Sequence, residues 1–330
     1  MSTTDENPDR DESLQMFAGI DRVYVASLYI SICALSITLH LLFITGIWKL
    51  CGWKSNFSFT LLLITSALCI LRFLTELIAS VTALFYLRWT RYLILWRCLG
   101  SFCLASDFTV LIVNIAMTFH RFIYTVVPFT ASNYLTKSVL KVVLTLIFLF
   151  FLAIVVTMNT ELLILVWVDS TMSWAIMDNP AADVYELFNH LYNYGVGFIN
   201  LVAFSCLFLI LFRRKQLSFT RNREVRMSLQ VLCMVLGNLA CFVFWEFGSM
   251  IEYDALNLIL TETIDLLFFD ITILPYLILN RSIHSQLKTI LMAKSSHSNL
   301  KMDMRIIRGN FSMVAVTQEL GFLHIWTHYT

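Results

Sequence analysis

LVAFSCLFLILF (201–212) runs straight into RRKQLSFTRNREVR (213–226). The first stretch has no ionisable carboxylate or basic side chain. The second packs Arg213, Arg214, Lys215, Arg221, Arg223 and Arg226 into 14 positions. Extended back to Leu187, the apolar run is long enough to cross a bilayer, which takes about 20 helical residues. The basic flank fixes which end is cytoplasmic, because Lys and Arg gather in loops that stay inside.

Working outward, the same alternation recurs along the chain. Seven apolar stretches are expected to span, at about 23–48, 57–87, 93–124, 142–168, 187–212, 227–250 and 257–280. Basic residues collect at Lys49 and Lys54, at Arg121, Lys137 and Lys141, in the 213–226 run, and from Arg281 to Arg308. These regions hold 17 of the 23 basic residues, and the segments between them are mostly acidic. The expected topology is multi-pass, with the amino terminus outside the cell and the carboxyl terminus inside.

Composition agrees with a bilayer. A hydrophobic share of 58% with 14% charged residues is too apolar for a soluble domain of 330 residues. Ten glycines, four prolines and no alternating strand pattern favour helices over a barrel. The expected fold is therefore an all-α membrane protein, a seven-transmembrane helix bundle over 23–280. An acidic tail, 1–22, precedes it. Residues 281–330 follow it, opening with a short amphipathic helix that carries Ile283, Leu287, Ile290 and Leu291 on one face. Pro275 should bend the last span near its cytosolic end. Every basic cluster abuts a span, so no nucleic-acid partner is implied. The eight cysteines have neither metal-site nor disulfide-scaffold spacing. No metal or cofactor is expected.

Two span ends carry a family pattern. MTFHRFIYTVVPF (117–129) resembles the end of the third helix of rhodopsin-like receptors, with Arg121 as the motif arginine. DITILPYLILNRSIH (270–284) resembles their seventh-helix proline motif and the surface helix after it. Together they are most similar to nematode serpentine chemoreceptors, class x. The resemblance implies a G-protein-coupled receptor of the plasma membrane, extending to sensory cilia, with a small-molecule ligand and a heterotrimeric G protein as partners. It implies coupling through His120, Arg121, Arg213, Arg214, Lys215 and Arg223. The sequence departs from the wider pattern at His120, which replaces an acidic residue, and at Tyr276, which directly follows Pro275. It also has no cysteine between 169 and 190 to pair with Cys98.

The charges inside the spans suggest where a ligand would sit. Charged residues at membrane depth are costly and face the interior of a helix bundle. Arg72 lies 15 residues past Phe57, Asp265 15 before Asn280 and Asp107 14 before Arg121. At ~1.5 Å per residue these share one layer roughly 21–22 Å from the cytosolic ends. Glu76, Glu246 and Glu262 fall a turn higher. Arg72 is expected to pair with Asp265, with Asp107 as the runner-up. The layer reads either as a ligand cavity floored by Trp245 or as an ion-pair network that fixes helix register. Amine receptors carry an aspartate 18 residues before the motif arginine; here that position is Cys103, so an amine is not expected. Deeper, Asn114, Asn238 and Asp270 form a candidate activation core with Pro275 and Tyr276.

Other seven-span functions fit less well. A zinc hydrolase needs histidines converging at one depth, and only His40 lies well inside a span. A retinal protein needs a lysine in the seventh span, where there is none. A channel or transporter sharing only the topology is the remaining alternative. The expectation is a receptor, not an enzyme.

Overall fold

The computed structural model describes residues 16–85, 92–160, 163–177, 180–213 and 255–289, and all but 231, 235, 238 and 242 of 229–244. The chain divides into two units, 1–280 and 281–330. Among the described residues the first unit is helical apart from one hairpin. Its helices are α1 (Gly19–Ile47), α2 (Phe57–Leu84), α3 (Leu93–Val126), α4 (Lys137–Met158), α5 (Pro180–Arg213), α6 (Ala255–Ile271) and α7 (Leu274–Leu279). The strands β1 (Leu165–Val168) and β2 (Ser173–Ile176) lie between α4 and α5. Helical residues also recur through 229–244. In the second unit, residues 281–289 are helical, with Ile283 buried and Leu287 half-buried.

Four of these helices, α1 to α4, are long and apolar enough to cross a bilayer. Lys137–Met158 best shows why such segments are helical. It is rich in Val, Ile and Phe, which favour strands in water. In hydrocarbon each backbone N–H and C=O must be satisfied within the segment, and that requirement overrides the preference. Thr136 Oγ1 starts the helix by accepting from the Val139 amide at 3.3 Å. Only Leu140, Ile147 and Met158 are buried. Leu146, Phe148, Leu149 and Val156 stand exposed, as suits a lipid-facing surface.

α3 is the opposite case. It packs against α2, α4, α5 and β1 and buries Ser101, Ser106, Thr109, Asn114, Thr118 and Arg121. Helix contacts also join α1 to α2 and both to α6.

The structure corrects the expected fourth span, which does not reach Val168. α4 ends at Met158, and 165–168 form a strand paired antiparallel with 173–176, Trp167 opposite Trp174. The chemistry of both runs favours this, since Val166, Trp167, Val168, Trp174 and Ile176 are β-branched or aromatic and the two runs flank the turn Asp169–Met172. Met172 takes φ +49° to close that turn. Trp167 is fully buried, and a Cβ at Gly100 would run into the Leu165 carbonyl. Glycine there lets the hairpin sit against α3.

The last helix is interrupted rather than merely bent. Pro275 has no N–H to donate to the carbonyl four residues back, at Ile271, where α6 stops. Ile273 N instead donates to Asp270 O at 3.1 Å, and Leu277 N to Ile273 O at 2.9 Å, which starts α7. Other bounds also differ from the sequence reading: α1 begins at Gly19, α4 at Lys137 and α5 at Pro180.

Candidate functional site: an outnumbered arginine beside a cavity

Arg72 is 2% exposed and faces four carboxylates. Its Nη1 donates to Glu76 Oε2 at 2.9 Å, the next turn of the same helix. Its Nη2 donates to Asp265 Oδ2 at 2.6 Å and to Glu262 Oε1 at 3.3 Å, both on α6. Its Nε lies 3.3 Å from Asp107 Oδ1 on α3. Asp265, the expected partner, makes the shortest contact, and Asp107 is engaged at the same time. The depth count therefore put the right groups at one level but underestimated how many share one cation. The Phe269 ring adds a cation–π contact 5.8 Å from the guanidinium carbon.

The hairpin reaches the same cluster. Trp174 Nε1 donates to Glu76 Oε2 at 2.8 Å, while Glu76 Oε1 is buried with no hydrogen-bond partner. At the hairpin turn Asp169 lies 3.4 Å from Arg22 Nη2, and Arg22 Nε donates to Ala83 O at 2.8 Å. Burial pushes the Asp169 carboxyl above its usual range, and Arg22 pulls against that. These contacts tie the hairpin to the start of α1 and the end of α2.

Beside the cluster lies a cavity of about 220 Å³ between α3, α5 and α6. Asp107 and Asp265 line it, and their side chains keep 30% and 24% exposure. Phe108, Phe268, Phe269 and Tyr185 supply aromatic walls. Asn189 and Asn193 add amides. Phe108 is held by Tyr192, whose ring meets it edge-on at 4.7 Å and whose hydroxyl donates to the Phe108 carbonyl at 2.7 Å.

Of the expected ligand-site residues, the structure brings together Arg72, Glu76, Asp107, Glu262 and Asp265. Trp245 and Glu246 lie outside the described residues, as do Asn238, Arg214, Lys215 and Arg223. The sequence reading missed Trp174, Tyr185, Asn189 and Asn193. The last three recur every fourth residue, a spacing that marks one helical face. Trp174 was legible only once 173–176 is read as a strand.

The deeper polar residues separate. Asp270 accepts from Ser36 Oγ at 2.7 Å and lies 3.5 Å from His40 Nε2, so it joins α6 to α1. The Asn114 amide is buried without a hydrogen-bond partner. Tyr276 is buried and its hydroxyl meets Met117 Sδ at 3.3 Å. Of the expected coupling residues, Arg213 is exposed, Arg121 is 8% exposed and His120 is 3% exposed. His120 turns inward: Nε2 lies 2.9 Å from the Lys54 carbonyl and Nδ1 2.9 Å from Ser58 Oγ. A carbonyl only accepts, so Nε2 carries a proton. His120 thus ties the end of α3 to the start of α2. No family model matches this chain, and no curated protein matches it.

Proposed function

We propose that this chain is a seven-span chemosensory receptor of the plasma membrane, with its amino terminus outside. It binds a small molecule between α3, α5 and α6 and signals to a heterotrimeric G protein. The observation that carries this reading is the cavity, where two carboxylates of a buried ionic cluster keep a face toward open space. An ion pair that served only to hold helices in register would need one carboxylate for one arginine.

The mechanism is a population shift: a ligand favours whichever helix arrangement it binds better. α3 is continuous from Leu93 to Val126, so movement at Asp107 carries to Arg121, ~21 Å along the helix by its rise per residue. The break between α6 and α7 supplies a place for bending next to Asp270, Pro275 and Tyr276. On the cytosolic side, Arg121 and the basic run with Arg213, Arg214, Lys215 and Arg223 form the coupling surface. His120, through Lys54 and Ser58, anchors this end of α3 to the start of α2.

Two measurements test the reading. A tag at residue 1 is expected to be reached on intact cells and a tag at residue 330 only after permeabilisation; the reverse contradicts the receptor topology. Arg121→Ala is expected to abolish G-protein activation across a panel of G proteins at unchanged surface level. Undiminished activation would leave Arg121 as an interfacial cation and remove the coupling assignment.

A further inference from the structure

We infer that the cavity takes a small organic cation, an ammonium or guanidinium on an apolar body, with its charged nitrogen between Asp107 and Asp265. The inference rests on the reading of the cavity as a ligand site and adds the chemical class of the ligand. Its basis is an imbalance of charge and of donors. One guanidinium meets four carboxylates, a formal excess of three negative charges. Arg72 turns Nε to one oxygen of Asp107 and Nη2 to one oxygen of Asp265. The 3.3 Å approach to Asp107 is not a hydrogen bond, so Asp107 Oδ1 is buried without a donor, while Asp265 Oδ2 accepts from Arg72, and both residues line the cavity. Glu76 Oε1 is a further buried acceptor without a donor. Carboxylate oxygens outnumber the donors that reach them and negative charge outnumbers positive, so a ligand bringing both a cation and N–H groups would complete the site.

The walls narrow the class. Phe108, Phe268, Phe269 and Tyr185 offer faces to an apolar or aromatic body and to a cation. A volume of about 220 Å³ is below the ~300–1,000 Å³ of drug-sized sites, so the ligand is small. An anion is disfavoured, because Arg72 is 2% exposed and each of its nitrogens already faces a carboxylate. Cys103, at the aspartate position of amine receptors, argued against an amine. Here the charge comes instead from two carboxylates on different helices, one of them a turn deeper on α3 and the other on α6.

The test is thermal denaturation of the purified full chain in lipid nanodiscs with three probes of one framework: 2-phenylethylamine, 2-phenylethanol and phenylacetate. The amine is expected to raise the melting temperature saturably, and the neutral and anionic probes are not. Asp107→Asn and Asp265→Asn are each expected to weaken the amine by about tenfold or more, as loss of a charged hydrogen bond does. Should Asp265→Asn fail to fold, Asp107→Asn decides. Equal stabilisation by 2-phenylethanol, or amine binding untouched by Asp107→Asn, overturns the cation assignment and leaves the cavity a ligand site. No shift with any probe also overturns it. The receptor reading is judged separately by the Arg121→Ala and tag experiments.

Discussion

Arg72 and Asp270 are both buried ionisable residues in the apolar part of this chain, yet their surroundings differ. Around Asp270 the contacts are few: one carboxylate oxygen accepts from one hydroxyl, Ser36, and the other lies 3.5 Å from one imidazole, His40, with no hydrogen bond between them. Around Arg72 they are many, since four carboxylates share one cation and two of them border a cavity. The small set at Asp270 links α1 to α6 through one hydrogen bond. The set at Arg72 also holds helices together, but with four carboxylates on one cation it keeps charge in excess of what holding requires. Excess buried charge is costly, and here it lies beside a cavity.

The largest effect should come from removing the cation. Arg72→Ala leaves four carboxylates uncompensated, and breaking a buried pair costs ~3–5 kcal/mol. Surface expression should fall to near background, and adding Asp107→Asn to that variant should recover part of it. A well-expressed Arg72→Ala would show that the carboxylates do not depend on Arg72, and the contrast with Asp270 would disappear.

Asp270→Ala should cost less, about 1–3 kcal/mol, because it strands one neutral donor, Ser36. The check is the melting temperature of detergent-purified protein, which should drop while amine binding is retained. A loss as large as that of Arg72→Ala would make the two regions equivalent.

Trp174→Phe keeps the ring and removes one N–H from Glu76. The expected loss is about 1.5–3 kcal/mol at most, the range for a hydrogen bond to a charged group. Hydrogen exchange over 165–176 should quicken, with α3 unaffected. Unchanged exchange in the hairpin would mean that Trp167 and the Gly100 contact hold it without help from the cluster.

Much of this was legible from residue types and counting. Helical rise alone placed Arg72, Asp107 and Asp265 at one depth, since a continuous helix converts sequence distance into height. Rise says nothing about rotation, so it could not tell that all four carboxylates turn toward one guanidinium. The hairpin was hidden because 142–168 reads as one apolar run. Hydropathy does not separate a spanning helix from a buried strand, and only the β-branched and aromatic character of 165–168 and 173–176 gives it away. Asp270 was grouped with Asn114 by depth, whereas its partners, Ser36 and His40, lie on α1. Their spacing of four residues marked a shared helical face but did not say which face α1 turns toward α6.

The most direct test of the charge imbalance is the melting temperature of ligand-free Asp107→Asn against wild type, measured side by side in lipid nanodiscs. Removing one of several like charges crowded on a single cation relieves repulsion. The expected result is therefore a melting temperature equal to or above wild type, despite the loss of a contact to Arg72. A drop approaching that of Arg72→Ala would mean Asp107 is a needed partner rather than a surplus charge. The cluster would then be a structural tie like the one at Asp270.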